Sequence, residues 1–246
     1  MYKIKTFNQI SVKGLERFSR EKYEVASDIG CPDAVLLRSH KLHNETLPDS
    51  VLTVARAGAG VNNVPVEDYS KKGIVVFNTP GANANAVKEL VLAGLLLGSR
   101  GIKSGIDHVA TLHDMHDAGE LHKTLEIQKK QFAGNELKGK TLGIIGLGAI
   151  GSLVADMALA LGMNVVGFDP ALSIEAAWRL SSNVQKAESM YALLTRCDYV
   201  SLHVPAIKPT HHMINQDALA QAKSGMVLVN FARESIVDPQ AIVKAL

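Results

Sequence analysis

The order of apolar and polar residues predicts a chain in which short buried strands alternate with helices. Runs of four or five mostly apolar residues, bounded by turn residues, are typical of strands covered on both faces. Segments with helical spacing lie between them, at Val87–Leu97, Ser152–Leu161 and Asp217–Ala222. The predicted strands are Ile4–Phe7, Ala34–Leu37, Val51–Ala55, Ile74–Asn78, Thr141–Ile145, Val165–Phe168, Tyr199–His203 and Val227–Phe231. This alternation predicts an α/β protein built on parallel sheets.

The alternation stops between Gly101 and Lys140, where a polar, histidine-containing stretch shows only weak apolar periodicity. We expect a domain boundary in this stretch or just before it. Residues 1–100 are then the first α/β domain, and residues 101–246 contain the second, whose first strand begins at Thr141.

Composition excludes several classes of protein. The chain has 246 residues, of which 47% are hydrophobic and 20% charged, which are ordinary values for a globular protein and not for a disordered or collagen-like one. The net charge of +2 provides no electrostatic surface for nucleic acid or an acidic membrane, although a small anionic substrate can still bind locally.

Two further features concern the cellular compartment. No uncharged apolar run is long enough to span a membrane; Leu90–Gly98, for example, has only nine residues, and Met1–Ile10 lacks the apolar run of a signal peptide. Cys31 and Cys197 are far apart and form no CxxC pair, as expected in a reducing compartment. We therefore expect a cytoplasmic protein without a disulfide framework.

A glycine motif joins the strand predicted at Thr141 to the helix that follows. Gly146, Gly148 and Gly151 form a GxGxxG pattern placed between strand and helix, which is the dinucleotide-binding context. The glycines permit a tight turn, close approach to a pyrophosphate and close helix packing, while Ala149 and Ile150 begin a helix whose free N–H groups attract phosphate. A strand-to-helix turn without a ligand is the alternative interpretation.

Asp169 ends the next predicted strand, about twenty residues after the motif. A carboxylate at this position accepts hydrogen bonds from both ribose hydroxyls and repels a 2′-phosphate, so NAD is favoured over NADP. Asp169 could instead be a solvated strand end or a cap before Pro170. Its spacing from Gly151 favours the cofactor role.

With these residues in place, the sequence resembles the D-isomer-specific 2-hydroxyacid dehydrogenases. The matching segments occur in family order and are Arg56–Asn63, Phe77–Asn83, Glu136–Gly143, Gly146–Gly151, Phe168–Pro170, Leu202–Pro205 and Asn230–Arg233. Within the family, Arg56–Gly60 is most similar to the phosphoglycerate dehydrogenases. The resemblance implies a Rossmann NAD-binding domain plus a smaller flavodoxin-like α/β substrate domain, the latter formed by residues 1–100, with the active site in the cleft.

The resemblance also implies roles for single residues. Arg233 matches the catalytic arginine, which pairs with the substrate carboxylate and polarises the reacting carbonyl, as a planar guanidinium can. Arg56 and the loop Gly58, Ala59 and Gly60 are expected to bind an anionic substrate through backbone N–H groups and one cation. Further residues expected to contact the nicotinamide half of NAD are Thr79, Val204, Pro205, Phe231 and Ala232.

The match departs from the family in two places. The glutamate and histidine that handle the proton in the family follow the arginine by more residues than this chain contains, which ends at Leu246. We therefore expect a C-terminally truncated chain with an incomplete Rossmann domain, which binds NAD far better than it turns over substrate. Glu234 and Ser235 also stand where two glycines usually follow the arginine, and Glu234 either weakens the grip of Arg233 on an anion or points away from it.

One polar cluster could suggest a metal. His108, His113, His116 and His122 alternate with Asp107, Asp114 and Asp117, which are metal-ligand types at close spacing. A solvated polar helix explains them better, because no buried apolar shell surrounds them. We expect no metal.

The expected function is NAD-dependent oxidation of a small anionic 2-hydroxy acid, 3-phosphoglycerate by the closest resemblance. Another D-2-hydroxyacid dehydrogenase, such as a glyoxylate or hydroxypyruvate reductase, is the alternative enzyme. A non-catalytic NAD-binding module is the alternative from another class. Family resemblance also implies a homo-oligomer, with neither nucleic acid nor a membrane as partner.

Overall fold

The computed structural model describes residues 1–246, which form two compact units, Met1–Asn83 and Ala84–Leu246. Each unit contains one five-stranded sheet in which all neighbouring strands run parallel. The predicted α/β class is confirmed.

The first unit has the strand order β2-β1-β3-β4-β5, which is the flavodoxin-like order. Its strands are β1 (Tyr2–Thr6), β2 (Tyr23–Ala26), β3 (Ala34–Leu37), β4 (Thr53–Arg56) and β5 (Val75–Phe77), and its helices are α1 (Val12–Leu15) and α2 (Val66–Lys71). The buried side chains of Val35, Leu37, Val54, Val64 and Tyr69 form its core. Burial and the nearby Glu45 carboxylate raise the pKa of Tyr69, so this core residue stays neutral.

The second unit has the strand order β10-β9-β6-β7-β8. Counted within the unit from the β8 edge, this is the order 3-2-1-4-5, which is the Rossmann order as far as its fifth strand. The strands are β6 (Thr141–Ile145), β7 (Asn164–Phe168), β8 (Val184–Lys186), β9 (Tyr199–Leu202) and β10 (Val227–Asn230). The helices are α3 (Ala84–Ser99), α4 (Ile102–Ala110), α5 (Ala118–Gln128), α6 (Ala149–Ala160), α7 (Ile174–Arg179), α8 (Met190–Leu194), α9 (Gln216–Ala220) and α10 (Pro239–Ala245), with 3₁₀ turns at Lys129–Phe132, Lys208–Thr210 and Glu234–Ile236. Strand β6 lies at the centre of this sheet and is almost entirely buried.

Helix α3 belongs to the second unit, so the division falls at Asn83–Ala84 and not at residue 100 as the sequence predicted. Val91 and Leu95 of α3 are fully buried in the same core cluster as Val154 of α6. Gly98 allows close approach to β10, since an added Cβ would lie 2.8 Å from Val227 Cγ1. The polar stretch that marked the predicted boundary therefore follows the first helix of this unit.

All eight predicted strands are present, but β2 and β8 were missed. Both are edge strands, and neither contains a fully buried residue. An edge strand is half exposed and its sequence mixes polar and apolar residues, so it leaves no continuous apolar run.

Helices α4 and α5 contain no buried residue. No helix of the structure combines the length and the apolar character needed to cross a lipid bilayer.

Candidate functional site

The glycine motif forms a turn between the carboxyl end of β6 and the start of α6. Gly146 has a φ of +95°, which is left-handed backbone, and a Cβ there would lie 2.7 Å from the carbonyl carbon and oxygen of His203. Gly151 is buried, and its Cβ would overlap the carbonyl oxygen of Gly146. No heavy atom lies within 4 Å of a Cβ built on Gly148. Two of the glycines are thus required for packing, and the third faces open space.

The start of α6 provides groups that fit a phosphate. Gly148 is the N-cap residue and has no side chain to cap the helix. The first-turn N–H groups of Ala149, Ile150 and Gly151 therefore have no acceptor within the helix, and the helix dipole favours negative charge there. The space beside Gly148 is open, so the phosphate oxygens of a ligand can reach these N–H donors.

Asp169 follows β7 and is half-buried beside the glycine turn. Its Oδ2 accepts a hydrogen bond of 2.8 Å from the backbone N–H of Leu147, and its Oδ1 accepts one of 2.9 Å from that of Ala171. Each carboxylate oxygen has about two lone-pair sites, so both can still accept from ribose hydroxyls. The carboxylate therefore also holds the turn, a role that sequence reasoning did not predict.

The loop after β9 contains Val204 and Pro205, which the sequence assigned to the cofactor. Thr210 fixes this loop, because its Oγ1 lies 2.5 Å from the carbonyl oxygen of Pro205 and accepts a 3.0 Å hydrogen bond from the N–H of Ile207. Sequence reasoning missed Thr210. A hydroxyl residue shortly after a strand-ending proline is a weak signal for such a turn.

The loop after β10 contains Phe231, Ala232 and Arg233. Asn230 shapes it, since its Oδ1 accepts from the N–H of Ala232 at 3.0 Å and its Nδ2 donates to the carbonyl oxygen of Arg233 at 2.9 Å. The sequence assigned no role to Asn230, although an Asn whose side chain bonds to the backbone two residues later is a common turn former.

Arg233 is exposed and its backbone is extended. One guanidinium nitrogen donates to the carbonyl oxygen of Ala232 at 2.7 Å, and none of the six ion pairs in the structure involves Arg233 or Glu234. The remaining N–H donors of Arg233 can meet an external anion. Glu234 does not neutralise this guanidinium.

His203 lies at the carboxyl end of β9 and directly beside the glycine turn. Its backbone N–H donates to the carbonyl oxygen of Ile145 at 2.7 Å, and its Nε2 lies 2.8 Å from Oγ of the fully buried Ser201. Burial lowers the pKa of His203 to about 4, so the imidazole is neutral at physiological pH.

In the first unit, Arg56 ends β4 and the loop Gly58–Gly60 curls around its side chain. The Arg56 guanidinium donates to the carbonyl oxygen of Gly60 and, through Nε, to that of Arg38 at 3.0 Å. The N–H of Thr79 donates to the carbonyl oxygen of Gly58 at 3.0 Å. Asn78 Nδ2 donates to the carbonyl oxygen of Ala59 at 2.7 Å. Several carbonyl groups of this loop are thus engaged from outside it.

In both sheets the candidate residues follow the carboxyl ends of strands. Arg56 ends β4 and Thr79 follows β5, while the residues of the second unit follow β6, β7, β9 and β10. Ligands of open α/β sheets bind at these ends.

The histidines and aspartates at residues 107–122 do not gather. The structure contains no group of three or more His, Cys, Asp or Glu side chains placed to hold a metal ion. His113 and Asp114, which approach to 3.2 Å, are both largely exposed.

Comparison with known proteins gives a family match. Residues 106–246 match the model of the D-isomer specific 2-hydroxyacid dehydrogenase, NAD binding domain. The D-3-phosphoglycerate dehydrogenase of Methanocaldococcus jannaschii is 36% identical over 228 residues, which are 92% of this chain and 41% of the relative. A hydroxypyruvate reductase of Thermotoga maritima is 37% identical over 194 residues, covering 77% of this chain and 56% of that protein. The chain thus spans about two fifths of the length of the phosphoglycerate dehydrogenases it matches.

Solved structures with the same fold include the holo form of Rhodotorula graminis D-mandelate dehydrogenase, with a TM-score of 0.78 at 27% identity over 100% of this chain and 77% of that one. The D-lactate dehydrogenase of Aquifex aeolicus, complexed with NAD and lactic acid, has a TM-score of 0.73 at 25% identity over 99% of this chain and 72% of that one.

Proposed function

Because the chain belongs to the D-isomer-specific 2-hydroxyacid dehydrogenase family, with NAD as cofactor, we propose that its protein oxidises 3-phosphoglycerate to 3-phosphohydroxypyruvate in serine biosynthesis. The observation that supports this substrate is the 36% identity of the chain, over 92% of its length, to a D-3-phosphoglycerate dehydrogenase. The hydroxypyruvate reductase at 37% identity supports the alternative, a reductase of unphosphorylated hydroxypyruvate or glyoxylate.

The residues of the second unit would hold the cofactor as follows. The N–H groups at the start of α6 bind the pyrophosphate beside Gly148, and Asp169 accepts from the ribose hydroxyls. Residues 204–205 and 231–232 contact the nicotinamide half. When bound, NAD supplies the acceptor for the hydride.

Other residues would hold the substrate and its changing charge. Arg233 pairs with the substrate carboxylate and stabilises negative charge on the oxygen of the reacting carbon. Arg56 and the loop Gly58–Gly60 bind an anionic group of the substrate, as part of a substrate domain.

The test of the substrate is a comparison of kcat/KM for D-3-phosphoglycerate and unphosphorylated D-glycerate in the natural protein that carries this sequence. We expect a preference of at least about a hundredfold for the phosphorylated acid, the size of effect that loss of a bound dianion produces. Equal rates would favour the reductase. No turnover of either, with NADH binding retained, would favour a non-catalytic NAD-binding module.

We also propose that the protein is a homo-oligomer that associates through the α4–α5 surface, defined by Ile102, Ile106, Val109 and Ile127. These side chains are 42%, 63%, 56% and 65% exposed, and the first three share one helix face. Ile102, Ile106 and Val109, together with Phe132, border a cavity of about 510 Å³. Such apolar exposure is typical of an interaction surface, and a second copy presents the same surface in return.

Finally, we propose a cytoplasmic location. Both cysteines are free thiols, with Cys31 exposed and Cys197 buried. Free exposed thiols persist in reducing compartments. Burial raises the pKa of Cys197 to about 11, which keeps that thiol unreactive.

A further inference from the structure

His203 follows β9 beside the glycine turn, and the role of that turn in binding the cofactor does not account for its imidazole. Its backbone N–H donates to the carbonyl oxygen of Ile145 in β6, and its own backbone carbonyl group lies against Gly146. Its imidazole is largely buried and neutral. A neutral imidazole has one N–H donor and one acceptor nitrogen, so the question is which nitrogen carries the proton.

Ser201 decides the position of the proton. Its side chain is completely buried, and Nε2 of His203, at 2.8 Å, is its single hydrogen-bond partner. If Nε2 carried the proton, the Ser201 hydroxyl would have to accept that bond, and its own hydrogen would be left buried without an acceptor. The favoured arrangement has the Ser201 hydroxyl donating to Nε2. The ring proton then resides on Nδ1.

Nδ1 has no hydrogen-bond partner in the protein. Three buried side-chain atoms lack a partner, namely Asn63 Oδ1, His108 Nε2 and Gln128 Oε1, and Nδ1 of His203 is not among them. Nδ1 is therefore not fully buried, and a bound ligand can reach it. The pair Ser201–His203 thus presents one oriented N–H donor at the carboxyl end of the sheet, on the strand next to the glycine turn.

We propose that Nδ1–H of His203 donates a hydrogen bond to an oxygen of the ribose–phosphate backbone of the bound dinucleotide, with Ser201 as the positioning residue that fixes the tautomer. The inference rests on the cofactor site proposed above. It adds a cofactor-binding side chain to a site that the sequence assigned mostly to backbone groups. Because the imidazole is uncharged, it selects an oxygen acceptor without adding charge.

Two amide substitutions separate this role from packing. The amide of His203→Asn can place an N–H near the position of Nδ1, whereas the amide of His203→Gln lies near that of Nε2 and leaves the Nδ1 position empty. We expect His203→Gln to weaken NADH binding about tenfold and His203→Asn by less than about threefold. Ser201→Ala leaves either tautomer available and should weaken NADH binding by about threefold. Titration uses the fluorescence of Trp178, the sole tryptophan.

Equal losses in the Asn and Gln variants would reduce His203 to a packing residue, and wild-type affinity in both would exclude the contact. Absence of NADH binding by the wild-type protein would instead overturn the cofactor site itself.

A second experiment uses the wild-type protein and so tests the proposal even where the variants do not fold. Long-range ¹H–¹⁵N spectra should show His203 protonated on Nδ1, with a shift of that nitrogen when ADP-ribose is added. Protonation on Nε2, or an unchanged Nδ1 signal at saturation, would contradict the proposal.

Discussion

Asp169 Oδ2 accepts a 2.8 Å hydrogen bond from the backbone N–H of Leu147, inside the glycine motif. The carboxylate that should accept from the ribose thus also holds the turn that should receive the pyrophosphate. The two halves of the cofactor site are therefore coupled through one side chain, and a change at Asp169 should affect both.

Asp169→Asn should weaken NADH binding by about tenfold or more, because an amide has one acceptor oxygen in place of two and one backbone bond of the turn is lost. The affinity for NADPH should fall less, since repulsion of its 2′-phosphate is removed. Fluorescence titration with both dinucleotides measures the two changes. Glu175→Gln, on the exposed face of α7, is the charge-matched control and should change neither affinity. A uniform loss for NADH and NADPH would contradict the ribose role.

Substitutions at two glycines of the motif should affect different properties, namely the stability of the fold and the affinity for NADH. Gly151→Ala should lower the free energy of unfolding by about 1–3 kcal/mol, because its Cβ overlaps the Gly146 carbonyl oxygen. Gly148→Ala should leave stability within about 0.5 kcal/mol, since φ there is −68° and the space is open, yet weaken NADH binding. Urea unfolding and NADH titration of both variants provide the comparison. Full NADH affinity in Gly148→Ala would place the pyrophosphate elsewhere.

Stability should depend on pH through His203. Its pKa is about 4 in the folded protein against the ordinary histidine value of 6.5, so the unfolded chain binds more protons between these values. The stabilisation is complete above about pH 6.5 and is lost as the pH falls towards 4. Between pH 7 and pH 5 the wild type should lose about 2 kcal/mol more than His203→Asn in urea unfolding. Parallel pH profiles would show that the imidazole is not desolvated.

Arg233→Gln should lower kcat/KM at least about a hundredfold in the natural protein, through loss of a charge-assisted, bidentate contact. The Kd for NADH should change by less than about threefold, because the cofactor is held by other groups. Arg179→Gln, an exposed arginine of α7, controls for loss of charge. An equal loss in NADH affinity would assign Arg233 to the cofactor and not to the substrate.

Negative charge introduced on the α4–α5 surface should dissociate the proposed homo-oligomer. The double variant Ile106→Asp and Val109→Asp places two carboxylates on the exposed face of α4 and should shift sedimentation from oligomer to monomer. Ile174→Asp on α7 is the control, since that side chain is 75% exposed and lies outside the surface. A monomeric wild type, or an unchanged oligomer in the double variant, would rule out this surface.

The sequence predicted those features whose causes are local. The strand at Thr141–Ile145 and the glycine turn after it follow from a buried apolar run and from the backbone demands of Gly146 and Gly151. The sequence placed α3 in the wrong unit. Its helical pattern fits either unit, and only the burial of Val91 and Leu95 in the core of the second unit decides between them. The bond from Leu147 to Asp169 and the bond from Ser201 to His203 depend on side-chain geometry that no sequence period reports.

The most direct measurement is a titration of the protein with NADH and with NADPH, followed by energy transfer from Trp178 to the reduced nicotinamide. We expect saturation at one NADH per chain and binding at least about tenfold tighter than that of NADPH, because Asp169 repels the 2′-phosphate. Equal affinities, or no saturable binding of NADH, would contradict the assignment of the β6–α6 turn and Asp169 as an NAD site.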